Sequence, residues 1–139
     1  MIAKKQSPNP ERAVSSHSGF RLEACSNGWQ IGRFEVLNEL GVPHLVTTRR
    51  GPDVTQVRWD TGAAGLETAR VLGLEDVAFL EQVHGGDVLA CDRGGQVGRA
   101  DGLVTTSRSL ALVGKSADCP IVLIADRDRR AVGFAHASW

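Results

Sequence analysis

From Val77 to His136 the sequence falls into short apolar runs: "VAFLEQVHG", "DVLACD", "GLVTT", "LALVGK", "PIVLIAD" and "AVGFAH". Polar or glycine-rich stretches such as "DRGGQVG", "TSRS" and "DRDRR" separate them. Runs this short, bounded by turn residues, read as strands. Upstream, Asn27-Gly28 is a strong hairpin-turn dipeptide between apolar flanks, "FRLEACSNGW" and "QIGRFEVLNEL". A turn from Asn38 to Pro43 then leads to a third strand, "HLVTT", and a loop, "RRGPD". One stretch has helix chemistry, "DTGAAGLETARVLGL". Asp60 or Thr61 suits its N-cap, Gly73 suits the C′ position, and Leu66, Ala69 and Leu72 or Gly73 mark the expected buried stripe. One helix amid many strands predicts an α+β fold with mixed β-sheets.

At 139 residues the length suits one domain with a core that needs no disulfide staple. Lys+Arg and Asp+Glu are equal at 16 each, which argues against a nucleic-acid or membrane-surface partner. Residues 1–18, "MIAKKQSPNPERAVSSHS", are polar, and no apolar segment follows Lys4 and Lys5 as a secretory signal requires. A disordered tail is expected there, with the domain over 19–139. No apolar run approaches membrane-spanning length. Three cysteines, an odd number, without an export signal point to reduced thiols and a cytoplasmic setting.

The last two runs permit a geometric argument. "IVLIAD" is nearly all apolar, as in a strand buried on both faces, and "DRDRR" is too polar to be anything but an exposed turn. If Asp126 pairs with Ala131, antiparallel counting sets Ile121 opposite His136 and leaves Cys119 diagonal to it. Diagonal neighbours lie roughly 7–8 Å apart, close enough for a shared ion after one bend at Pro120. His84, which ends an apolar run before Gly85-Gly86, is a third candidate. Two imidazoles and a thiolate with one open position would suit a catalytic zinc. On spacing alone the plainer readings stand beside it: Cys119 as a small buried hydrophobe and the histidines as hydrogen-bonded strand ends. Cys25, Cys91, His17 and His44 show no such convergence and read as structural.

"EQVHG", "ADGLVTT", "ADCPIVLIAD" and "VGFAHASW" follow one another in an order and spacing that resemble the YfiH-like laccase-domain family, whose text at these places is similar to "QVHG", "ADALVT", "ADCxPVLLAD" and "HAGWRG". "VTTRRG" is similar to that family's earlier "STRxGG" element. The resemblance covers residues 29–139; Ser138 stands where the family has Gly. Its proteins carry the label multicopper polyphenol oxidase and are better described as zinc-dependent purine nucleoside phosphorylases.

The resemblance implies an α/β/β/α sandwich and a metal site of His84, Cys119 and His136, which are also the catalytic residues. It implies phosphorolysis of adenosine, inosine, guanosine and methylthioadenosine to free base and ribose 1-phosphate derivative, with adenosine deamination at the same site. Zn2+ is the expected cofactor, with Cu2+ the alternative. Purine nucleoside and phosphate are the expected partners. Arg49 or Arg50 would bind phosphate bidentately, and Asp118, beside the ligand Cys, would contact substrate or orient His136 or His84. Asp101, in "ADG", reads as a turn residue. The family continues past the position of Trp139, so the chain is expected to be the N-terminal part of its domain, incomplete at the C-terminus. The rival readings are a copper-dependent polyphenol oxidase, a cysteine hydrolase using Cys119 and His136, and an inactive metal-binding fragment.

Overall fold

The computed structural model describes residues 19–52, 63–128 and 130–138. The expected tail over 1–18 and the caps Asp60 and Thr61 lie outside the described residues.

The centre of the fold is a three-stranded parallel sheet. Its middle strand, β3 (Asp76–Glu81), pairs with β5 (Gly95–Arg99) on one side and β7 (Leu110–Val113) on the other. Residues 77–80 are all buried, as a parallel strand covered on both faces requires. The pleat divides them: Ala78 and Leu80 point to one core, Val77 to another. Leu110 and Ala111 on β7 split in the same way.

A second sheet has four strands in the order β4-β6-β9-β8, comprising β4 (Val88–Ala90), β6 (Gly102–Thr105), β9 (Ala131–His136) and β8 (Ile121–Asp126). β4 and β6 are parallel, and the other pairs are antiparallel. Leu103 and Phe134 from this sheet meet Ala78, Leu80 and Leu110 from the first in one apolar core. Within the four-stranded sheet glycine permits a close approach of β9 to β6: a Cβ on Gly133 would stand 2.9 Å from the Leu103 carbonyl oxygen, a backbone atom that cannot swing away.

The predicted helix is present as α2 (Ala63–Val71), ending at Gly73 with φ +72°. Its buried side differs from the expected stripe. Ala69 is buried against Val77 and Ala111, but Leu66 is exposed and Thr68 is buried in its place. Helix, three-stranded sheet and four-stranded sheet thus form successive layers of an α+β sandwich.

The predicted first hairpin forms between β1 (Phe20–Ala24) and β2 (Gln30–Phe34), with Gly28 at φ +86°. Beyond Phe34 the chain leaves the extended form for a short helix, α1 (Glu35–Glu39). The expected third strand "HLVTT" is reduced to one bridge, Gly32 to Val46, because Arg33 and Phe34 bond instead to the His44 carbonyl and ring. β5 falls within the stretch read as a turn, "DRGGQVG". Its glycines make no strand signal, and its pairing with β3 is a tertiary choice.

The final hairpin has the register derived from its polar turn: Ile121 faces His136 and Asp126 faces Ala131. The expectation that β8 is buried on both faces fails. β8 is an edge strand, and Val122, Leu123 and Ile124 are 48%, 38% and 55% exposed. No helix among the described residues is long and apolar enough to cross a membrane.

Candidate metal centre

Three segments deliver side chains to one rim of the sandwich. β3 runs out through Gln82 and Val83 to His84, whose backbone lies in the left-handed region at φ 60°. Cys119 precedes β8, and His136 ends β9. One ligand atom from each of His84, Cys119 and His136 lies within 4.8 Å of the others. The two imidazole rings meet edge to face, with centroids 5.0 Å apart. His84 is exposed, Cys119 half-buried and His136 buried. The cluster therefore opens to solvent on the His84 side and is anchored on the His136 side.

A tetrahedral ion with bonds of about 2.0–2.3 Å sets its donors roughly 3.5 Å apart. The three donor atoms need only a short inward movement, within the reach of side-chain rotation. Two imidazoles and a thiol are borderline-to-soft donors, the chemistry that zinc and copper prefer to oxygen cages. The group could hold a metal ion.

The chain around these residues is cross-tied by polar contacts. The Gln82 side chain donates to the Lys115 carbonyl and accepts from the Lys115 N–H, both at 2.7 Å. That exchange joins the His84 turn to the segment leading into Cys119. The Ser116 hydroxyl donates to the Cys119 carbonyl, and the Ala137 N–H donates to the Pro120 carbonyl at 2.9 Å. Pro120, which has no N–H, gives up no ladder bond where it stands.

Asp101 stands at a bend before β6, as expected of a turn residue, and its carboxylate also reaches the cluster. It is 3% exposed, and its Oδ1 lies 2.8 Å from His136 Nδ1. The same carboxylate accepts from the backbone N–H groups of Val83, His84 and Gly85 at 3.1, 3.0 and 2.7 Å. The Asp101 carbonyl also accepts from the His136 N–H at 2.7 Å. Burial pushes the Asp101 carboxyl up, but the bonds from His136, Gly85, Val83 and His84 outweigh it and hold it at about 2. Sequence reasoning had given the orienting role to Asp118, which is exposed on the loop before Cys119.

Of the remaining candidates, Arg49 and Arg50 are exposed on a turn tied to β2 through the Gln30 N–H and the Arg50 carbonyl, 2.9 Å apart. That bond places them by the first hairpin rather than in the His/Cys/His group. His44 is structural, as read: its Nε2 accepts from the Phe34 N–H at 2.8 Å and its Nδ1 stands 2.9 Å from the Val42 carbonyl. Both ring nitrogens are thereby used. The Gln82 contact beside the cluster was concealed in the sequence, since its partner is 33 positions away.

Residues 54–139 match the family described as multi-copper polyphenol oxidoreductase laccase. A Rickettsia conorii protein named purine nucleoside phosphorylase is 42% identical over 66 residues, 47% of this chain and 28% of its own length. One of the same name from Deinococcus radiodurans is 33% identical over 116 residues, covering 72% of this chain and 45% of its own. A third, from Xylella fastidiosa, is 34% identical over 123 residues, with 71% and 47% covered. The chain spans less than half the length of each of these relatives. With the match extending over more than half of its residues, and the "QVHG", "ADC" and "FAH" segments inside it, the chain belongs to the YfiH-like, multi-copper polyphenol oxidoreductase laccase family.

Proposed function

We propose that this chain carries the metal centre of a purine nucleoside phosphorylase, with His84, Cys119 and His136 as ligands of one zinc ion. The observation that carries the reading is the meeting of those three donors within 4.8 Å, from positions far apart in the sequence. The names of the relatives supply the reaction class. Zinc is preferred to copper because one His/Cys/His group gathers among the described residues, whereas multicopper chemistry needs several centres.

When bound, such an ion would act as a Lewis acid on a phosphate or water oxygen. The chain's own residues do the rest. The exposed His84 side admits the ligand, while buried His136 and Asp101 keep the inner wall fixed. Asp118, exposed one residue before Cys119, is the group for a substrate hydroxyl. Arg49 or Arg50 is proposed to bind phosphate through its planar donor fork, from the turn beside the first hairpin and not as part of the His/Cys/His group. Adenosine, inosine, guanosine and methylthioadenosine are the proposed substrates, with adenosine deamination as a second activity. A thiolate engaged with an ion is not a free nucleophile, so a cysteine-hydrolase mechanism is disfavoured.

The test is phosphate-dependent release of base from adenosine and inosine, with His84→Ala as control and the bound metal quantified in the same sample. Base release that survives His84→Ala removes the zinc reading. Stoichiometric copper with phenol oxidation replaces it.

A further inference from the structure

We infer that Asp101 is the positioning residue of this centre: its carboxylate fixes the ring of His136 with Nε2 as the donor atom and clamps the turn that presents His84. The inference rests on the metal reading of the His/Cys/His group. It goes beyond that reading by assigning a role to a residue that touches no ion.

Both oxygens of the Asp101 carboxylate already accept hydrogen bonds, Oδ1 from the His84 N–H and Oδ2 from those of Val83 and Gly85. The partner at 2.8 Å, His136 Nδ1, must therefore carry a proton. In a neutral imidazole that leaves the lone pair on Nε2, and a metal ligand needs a lone pair. His136 is 6% exposed, so no bulk water competes to turn the ring. The second grip, from the His136 N–H to the Asp101 carbonyl at 2.7 Å, holds the end of β9 in register with the carboxylate.

The same two oxygens take three consecutive N–H groups, from Val83, His84 and Gly85. Three such donors aimed at one anion form a backbone nest. His84 sits at φ 60°, a left-handed conformation that is strained for a non-glycine residue. The nest offsets that strain and keeps His84 facing His136, 5.0 Å away between ring centres. One carboxylate thus sets two ligands: one through the ring, the other through the main chain. Outer partners of this kind change metal affinity by roughly 10–100-fold when removed.

A structural anchor alone would predict a loss of stability and nothing more, so the test reads the ring. Long-range 1H–15N spectra of the metal-free wild-type chain, in alkaline buffer where histidine rings are neutral, should show His136 as the Nδ1–H tautomer. A predominant Nε2–H tautomer overturns the inference without any variant. In Asp101→Asn, whose amide nitrogen can donate to the ring, the Nε2–H form should appear. Co2+ and Zn2+ affinity, read by competition with a chromogenic chelator, should fall roughly 10–100-fold. The Co2+ ligand-field bands should also move. An Asp101→Asn protein with wild-type affinity and bands overturns the inference alone. A wild-type chain that takes up neither ion overturns the metal reading and the inference with it.

Discussion

Gln82 and Lys115 exchange two hydrogen bonds of 2.7 Å, the side-chain amide of one imitating a strand for the main chain of the other. The pairing extends the β3–β7 ladder past its last pair, Phe79 and Val113, towards the place where the His84 and Cys119 segments leave the sheets. An amide meets both needs at once because it carries a donor and an acceptor on one plane. Gln82→Ala is expected to cost about 1–3 kcal/mol, through loss of the two bonds to the Lys115 main chain. Hydrogen exchange at the Lys115 amide should quicken by a larger factor than exchange in β6. Equal protection in wild type and variant would contradict this.

Each proposed ligand should be needed. Cys119→Ser and His136→Ala are expected to weaken zinc binding by more than the roughly 10–100-fold typical of an outer partner. His44→Ala should leave zinc affinity in place while lowering stability, since His44 bonds to Phe34 and Val42 rather than to the cluster. Metal titration beside urea unfolding separates the two effects.

Acid should act through Asp101. Its folded value of about 2 lies below the ordinary value of 3.8, so its contribution is fully present above about pH 5 and fades as pH falls towards 2. Wild-type stability should therefore drop across that window. Asp101→Asn should start lower at pH 6, by about 2 kcal/mol, and show a shallower slope. Urea midpoints at three or four pH values measure it; parallel curves would refute the assignment.

The open edge of the second sheet should govern behaviour in solution. β8 has no strand on its outer side among the described residues and exposes Val122, Leu123 and Ile124, a template for adding another strand. Ile124→Lys is expected to raise the concentration at which the chain stays monomeric by light scattering, with the melting temperature changed little. Unaltered scattering would show that the edge is inert.

How legible the site was depended on the range of each contact. The β8–β9 register followed from one polar turn, and with it the placement of Cys119 near His136, because alternation along a hairpin is a local rule. Asp101 was missed because "ADG" carries an ordinary turn signature, while its partners lie 16 to 18 positions upstream and 35 downstream. Gln82 was hidden for the same reason. β5 was lost to its glycines, and α1 was too short to show a period. The exposure of β8 could not be read from "IVLIAD", since an apolar run announces a wish for cover and says nothing of what supplies it.

His84 lies just past the end of β3 in one sheet, whereas Cys119 precedes β8 and His136 ends β9 in the other. An ion held by all three would act as a rivet through both plates of the sandwich, and a rivet resists shear that apolar contacts alone permit. Heat tolerance should then track ion occupancy, climbing as free zinc passes its dissociation constant and returning to baseline under a chelator.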